Sequence, residues 1–438
     1  MERRTFIKNA AVIGAGMAAA VPATASPKTL PVKAGSIPSV NGRINLALIG
    51  ARNQGGRVHL PSVVNHPDLH LSAICDVDQG VLQSALDKAK SLLAEEGKPF
   101  EIKGYRDFRE LLLRDDVDAV LIATPDHWHV PMATAAIRAG KDVYVEKPLS
   151  LYMEEGRDLA NLLKEHPQIV QVGSQQRSGD RFLIASEAVR QGLLGDVHRI
   201  DVEIQTRQGK ADMWEAQPVP AELDYDLWLG PVTWTDYHPD RVHYNFRFVP
   251  EFSGGDITNW GAHHLDIVQQ ALGMDESGPV FINGRGRRNP AGSVHTPYYG
   301  IDVDIRYANG VAVKLRSSSE KSGIRFFGSA GSLFVSRDEL VSNPPELLRS
   351  FPRGLGASLR KTKGSHLTNW IECMKSRRAD NLHAPVEIGH RSATVCHLAN
   401  IAIELRRPLH WDPEREVFLS DAHANALLNR PVRKGWET

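Results

Sequence analysis

Residues Ser253-Gly254-Gly255-Asp256-Ile257-Thr258-Asn259-Trp260-Gly261-Ala262-His263-His264-Leu265-Asp266 form the densest polar cluster in the chain. On a helix, side chains four apart share a face, which sets Asn259 beside His263. An imidazole titrates near neutral pH, so His263 is suited to move a proton. His264 is its neighbour, but a helix turns successive side chains about 100° apart, so no metal site is expected. Two other segments carry reactive groups: Ala123-Thr124-Pro125-Asp126-His127-Trp128-His129 and Glu146-Lys147-Pro148-Leu149. An ammonium aimed at a reacting oxygen polarises a carbonyl or steadies a developing alkoxide, which gives Lys147 a possible task.

A third constellation points to a dinucleotide. Gly50-Ala51-Arg52-Asn53-Gln54-Gly55 follows an apolar run and opens a helix-like segment. Against the glycine-rich fingerprint the first and third glycines are present and Arg52 replaces the second. The next apolar run ends at Asp76, 26 positions after Gly50. An acid there accepts a ribose 2′-hydroxyl and repels a 2′-phosphate, which favours NAD; Arg52 keeps NADP possible.

These residues must be held by strands and helices. Buried strands are expected at 44–50, 69–76, 118–124 and 142–146, with helical spacing near 56–65, 79–96 and 130–139. Strands alternating with helices predict a doubly wound parallel sheet, whose ligands sit at the carboxyl ends of the strands. Past residue 172 the texture changes to longer strand-like runs at 197–206, 280–286, 301–307, 311–317, 324–327 and 333–336. Helical stretches follow near 365–376 and 387–405. This predicts an α+β domain with a mainly antiparallel sheet. The domains read as 44–171 for dinucleotide binding and 172–438 for substrate and oligomerisation, the last helices packing back on the first domain.

The T-P-x-x-x-H turn at Thr124 and the E-K-P at Glu146, at their separation, resemble the Gfo/Idh/MocA oxidoreductases, the glucose-fructose oxidoreductase and inositol dehydrogenase type. That resemblance implies that Lys147 is the catalytic lysine and that His263 handles the proton. Asn259 stands where inositol dehydrogenase-like members carry aspartate. It implies a cofactor site of Gly50, Arg52, Asn53, Gln54, Gly55, Asp76, Thr124, Pro125, Glu146 and Lys147, with His127, Trp128 and His129 lining the nicotinamide pocket. Gln176, Arg177, Tyr244, Arg247, Asp256, Trp260 and His264 are expected to shape a hydroxyl-rich substrate pocket. The activity implied is hydride transfer between NAD, or NADP, and a secondary alcohol or ketone of a sugar, glycoside or cyclic polyol. One alternative is an NAD-dependent glycosidase working by transient oxidation and elimination, against which the intact E-K-P argues. Another is a non-catalytic exported sugar-binding protein on the same fold.

Bulk properties agree. The chain has 438 residues, enough for two domains, and its 52 basic and 52 acidic residues give no basic excess for nucleic acid. No apolar run reaches the roughly 20 residues of a membrane span. Cys75, Cys373 and Cys396 have no disulfide or metal-knuckle spacing. Arg3-Arg4-Thr5-Phe6-Ile7-Lys8, an apolar stretch and Ala23-Thr24-Ala25 resemble a twin-arginine export signal over 1–25, with a proline-bearing linker over 26–43. Export-machinery contact and a periplasmic or otherwise exported location are therefore expected, and a homo-oligomer is expected as well.

Overall fold

The computed structural model describes residues 42–318, 321–350 and 364–436. The segment read as an export signal, and the linker except Gly42 and Arg43, lie outside the described residues.

The first sheet contains β1 (Ile44–Ile49), β2 (Leu69–Cys75), β3 (Lys103–Tyr105), β4 (Ala119–Ile122), β5 (Asp142–Val145) and β6 (Val170–Val172). All pairings are parallel, in the order β3-β2-β1-β4-β5-β6. Both faces are covered, so β4 is 0% exposed along its length, which is why its sequence is an unbroken apolar run. Because β1 neighbours both β2 and β4, the connections leave in opposite directions and open a crevice at the strand carboxyl ends. After β1 the chain makes a wide π-type turn, Gly55–His59, before the short helix Leu60–Val64.

The second sheet contains β7 (Val197–Ile204), β8 (Pro279–Arg287), β9 (Tyr299–Tyr307), β10 (Ala312–Ser317), β11 (Gly323–Gly328), β12 (Gly331–Val335), β13 (Leu340–Asn343), β14 (Leu409–Asp412) and β15 (Val417–Phe418). Its order is β13-β12-β11-β7-β10-β9-β8-β14-β15, parallel only between β7 and β10. In β9, Ile301, Val303, Ile305 and Tyr307 are buried while Asp302 and Arg306 are exposed, the period of two that a one-sided sheet requires. The buried face meets the helices Asp180–Arg190, Ala262–Leu272 and Val386–Leu405 through residues such as Phe326, Leu265 and Leu398.

Two late helices tie the domains together. His366–Ser376 inserts Trp370, Ile371 and Met374 into the core of the first sheet. His366 Nε2 lies 2.8 Å from the Val172 carbonyl, His390 Nε2 lies 2.6 Å from Glu416 Oε1, and His397 Nε2 lies 3.4 Å from Ser150 Oγ. These three histidines, without an assignment from sequence, are joints between elements. The three cysteines are buried and form no disulfide.

Candidate active site

The glycine loop closes because two positions have no room for a side chain. Gly50 has φ +86°, and a Cβ there would sit 2.7 Å from the Ala123 carbonyl oxygen. A Cβ on Gly55 would lie 1.8 Å from the Gly50 carbonyl oxygen. Gly55 is therefore a packing glycine behind the loop, whereas Gly50, Arg52, Asn53 and Gln54 line a cavity of about 800 Å³. Asp76, past β2, lines its far end; its carboxylate accepts the Ala51 N–H at 2.8 Å and the Asp78 N–H at 3.0 Å. Burial raises the Asp76 carboxyl to about 6 against those two backbone donors. Arg52 is held 3.9 Å from Asp78, which His243 of the second domain approaches to 3.3 Å. Two carboxylates at the end of β2 set this end against a 2′-phosphate.

Past β4, Thr124 and Pro125 line the cavity. His129 lies 3.0 Å from the Thr124 carbonyl and 2.6 Å from that of Pro148, so it pins this loop to the one after β5. The Trp128 indole lines the cavity and donates to the Trp228 carbonyl at 2.9 Å. His127 does not reach the cavity. It is fully buried, 3.0 Å from the same Trp228 carbonyl and packed on Trp228 and Phe252; burial lowers it to about 3. Its expected place in the nicotinamide pocket is corrected: the tight helical turn Asp126–Trp128 rotates successive side chains about 120° apart, and Asp126 and Trp128 line the cavity while His127 turns away from it.

Past β5, Glu146 lies 2.8 Å from His59 Nε2 and accepts from Gln175 Nε2 at 2.7 Å. Burial alone would raise its carboxyl, but the His59 contact and nearby Lys147 outweigh burial and hold it at about 2. Glu146 is thus a fixed anion. Lys147 Nζ donates to the Asn259 carbonyl at 3.0 Å and to Asn259 Oδ1 at 2.9 Å. Burial lowers the ammonium's pKa, opposed by Glu146 and Asp126. An ammonium has three N–H donors; two are spent on Asn259 and one is left for a reacting oxygen.

Asn259 reaches Lys147 because the chain before the helix Ala262–Leu272 forms a wide π-type turn over Ile257–Gly261. His263 follows and lines the cavity, with Nδ1 buried and unpartnered among the described residues. Burial first, then Lys147 and Arg337, lower the His263 imidazole well below its ordinary value. It is neutral at pH 7 and able to accept a proton. Asn259 thus positions the lysine; it lines the same cavity as His263, but no hydrogen bond joins it to the His263 ring.

Gln176, Tyr244, Arg247 and Trp260 line the substrate end of the cavity. The Gln176 amide nitrogen and oxygen are both buried without a protein partner, as expected of a group awaiting a ligand. Three expected substrate residues are elsewhere. Arg177 is buried in ion pairs with Asp266 at 2.8 Å and Asp275 at 2.7 Å. Asp256 is consumed by Arg207 at 2.6 Å. His264 lies 2.9 Å from Ser322 Oγ, turned to the sheet, and burial lowers it to about 3. Arg177 and Asp256 are buried charges paired within the protein, and His264 is held through one ring nitrogen only, its Nδ1 being buried without a partner among the described residues. His59 and Arg337 carry no motif and escape sequence reading. Gln175 precedes the expected Gln176, and Asp126 and Ser253 lie in the polar segments, but nothing in their spacing reveals that Gln175 holds Glu146 or that the Ser253 hydroxyl donates to Asp126 at 2.6 Å.

The site fits a nicotinamide dinucleotide: a glycine turn at the switch between β1 and β4, an acid past β2, and a cavity running from Asp76 to His263. A parallel sheet with that crevice, closed by an α/β domain bearing the imidazole, defines a two-domain NAD-binding oxidoreductase fold. Residues 44–174 match the family model described as oxidoreductase family, NAD-binding Rossmann fold, and residues 187–438 match its C-terminal alpha/beta domain. The chain belongs to the Gfo/Idh/MocA oxidoreductase family. It is 35% identical over 252 residues to a glycosyl hydrolase family 109 protein of Shewanella sp. (strain ANA-3), covering 53% of this chain and 54% of that one. The chain spans about half the length of the curated relatives it matches. In fold it is similar to the WlbA dehydrogenase of Bordetella pertussis in complex with NADH and UDP-GlcNAcA, with TM-score 0.61, 17% identity, and 84% of this chain and 99% of that chain covered. It is likewise similar to the aldose-aldose oxidoreductase of Caulobacter crescentus, with TM-score 0.60, 17% identity, and 84% and 99% covered.

Proposed function

We propose that the protein oxidises a secondary alcohol of a sugar, glycoside or cyclic polyol, or reduces the matching ketone, using NAD. The observation that carries this reading is the Lys147 ammonium, tethered by Asn259 in the same cavity as the His263 imidazole. Bound NAD supplies the acceptor for the hydride that leaves the alcohol carbon. Lys147 holds the alcohol oxygen with its remaining N–H and steadies the charge that develops there. His263 takes the hydroxyl proton, so the alcohol loses one proton and one hydride and becomes a ketone. Gln176 and Trp260 offer an amide and an aromatic face to the rest of the sugar. The sugar-active dehydrogenases with this fold support a carbohydrate substrate, and the twin-arginine-like start supports export of a folded, cofactor-bearing protein. The test is to release and identify the cofactor from purified protein, then screen sugars and glycosides for its reduction; absence of any bound or bindable nicotinamide sinks the reading.

The likeness to glycosyl hydrolase family 109 proteins favours a second reading: a glycosidase in which the same hydride is returned after elimination. Release of aglycone with no net NADH distinguishes it.

A further inference from the structure

Lys147 is not the only cation at its end of the cavity. Arg247 and Arg337 line the same space. Arg247 comes from the short helical turn His243–Phe248; its guanidinium lies 4.6 Å from the Tyr244 ring centroid and 4.7 Å from that of Phe246. Its Nη1 donates to the Tyr244 carbonyl at 3.0 Å. Arg337 comes from the turn between β12 and β13, and its guanidinium lies 4.9 Å from the Trp260 ring centroid. Arg181 fixes that turn by donating to the Arg337 carbonyl at 2.8 Å.

Among the described residues neither guanidinium has a carboxylate within ion-pair distance. For the half-buried Arg247 this sets it apart from other arginines drawn into the protein: Arg157 pairs with Glu387 and Glu416, Arg177 with Asp266 and Asp275, Arg207 with Asp256, and Arg430 with Glu155. The nearby carboxylates are committed elsewhere, Asp126 to Ser253 and Glu146 to His59 and Gln175. Arg247 is half-buried, and burial lowers its pKa with only partial relief from Asp126 and Glu146, whereas Arg337 is exposed where it lines the cavity, with Asp338 and Glu146 its nearest acids. The aromatic faces recover part of the lost hydration. A dinucleotide's pyrophosphate does not explain the pair. The phosphate-binding loop and Arg52 lie with Asp76 and Asp78, whereas Arg247 and Arg337 are close enough to depress the Lys147 ammonium alongside burial.

We propose that the substrate is an acidic sugar, a hexuronic acid or its glycoside, whose carboxylate is held by Arg247 and Arg337 while a secondary hydroxyl of the ring meets Lys147 and His263. The planar guanidinium fork matches a carboxylate, and the charge-assisted bonds it makes are among the strongest a site offers. The assignment of substrate class rests on the hydride-transfer reading; the anion site itself does not.

The test compares methyl glycosides of glucose, galactose and N-acetylgalactosamine with the corresponding methyl glycosiduronates on full-length protein. NADH formation and calorimetric binding to NADH-loaded protein are both read. At least one uronate is expected to exceed its neutral partner by about tenfold or more in kcat/KM and in affinity. Arg247→Met and Arg337→Met are each expected to shrink that preference, and the double variant to bring it near one. Equal or better use of the neutral glycosides by the wild type overturns the proposal, and so does a preference that survives in a folded double variant. A sugar 6-phosphate or 6-sulfate favoured over every uronate overturns the carboxylate assignment. If no sugar yields NADH, hydride transfer fails, and the calorimetric comparison alone decides the anion site.

Discussion

The Lys147 ammonium donates to both oxygens of Asn259, the backbone carbonyl at 3.0 Å and the side-chain Oδ1 at 2.9 Å. The two residues come from different domains, so this contact fixes the lysine of the dinucleotide domain against the helix that carries His263. A neutral amide tethers the ammonium without cancelling its charge. An aspartate at the same place would hold it as an ion pair.

Asn259→Ala should therefore lower kcat by roughly tenfold to a hundredfold, the cost of a misplaced catalytic group. NAD affinity should change little, because Asn259 lies at the far end of the cavity from Asp76. Steady-state kinetics with a parallel NAD titration check this. Asn259→Asp keeps both acceptors and should be the milder variant; an equal loss from both changes would contradict a tethering role.

Asp76 sets a pH dependence. Its carboxyl is raised to about 6, so it is ionised above that pH and protonated below it. The carboxylate is the form that accepts a ribose hydroxyl. NAD affinity should be full above about pH 7 and about tenfold weaker at pH 5, where roughly a tenth of the sites remain ionised. Fluorescence titration of NAD across that range checks the sign, and Asp76→Asn should flatten the dependence while relaxing discrimination against NADP.

Arg177 tests a correction. It reads from sequence as a substrate residue, yet its guanidinium is buried between Asp266 and Asp275. Arg177→Met should cost about 3–5 kcal/mol of stability, because it strands a buried carboxylate. Thermal unfolding measures this. Unchanged stability with a raised KM would restore the substrate role.

Much of the architecture was legible. Buried parallel strands give unbroken apolar runs, and β1, β2, β4 and β5 were read close to their observed bounds. Strands β3 and β6 have three residues each, too few for any period to show, and β13, β14 and β15 are similarly short or marginal. Lys147 and His263 were legible because their segments lie just past strand ends or within one polar helix. His127, Arg177, Asp256 and His264 were not, because a buried polar side chain held by a protein contact looks the same in sequence as one turned to a ligand. Arg337 was invisible for the opposite reason. Its partner across the cavity comes from residues ninety positions away, and no local pattern marks it.

Net hydride transfer assisted by Lys147 leaves a stoichiometric trace. The most direct measurement follows reduced nicotinamide and ketone together while the purified protein turns over an oxidisable sugar or glycoside. NADH and ketone are expected in equal amounts from the wild type, and essentially none from Lys147→Met, which should still bind NAD. Undiminished turnover by Lys147→Met, or aglycone release with no net NADH from the wild type, would contradict it.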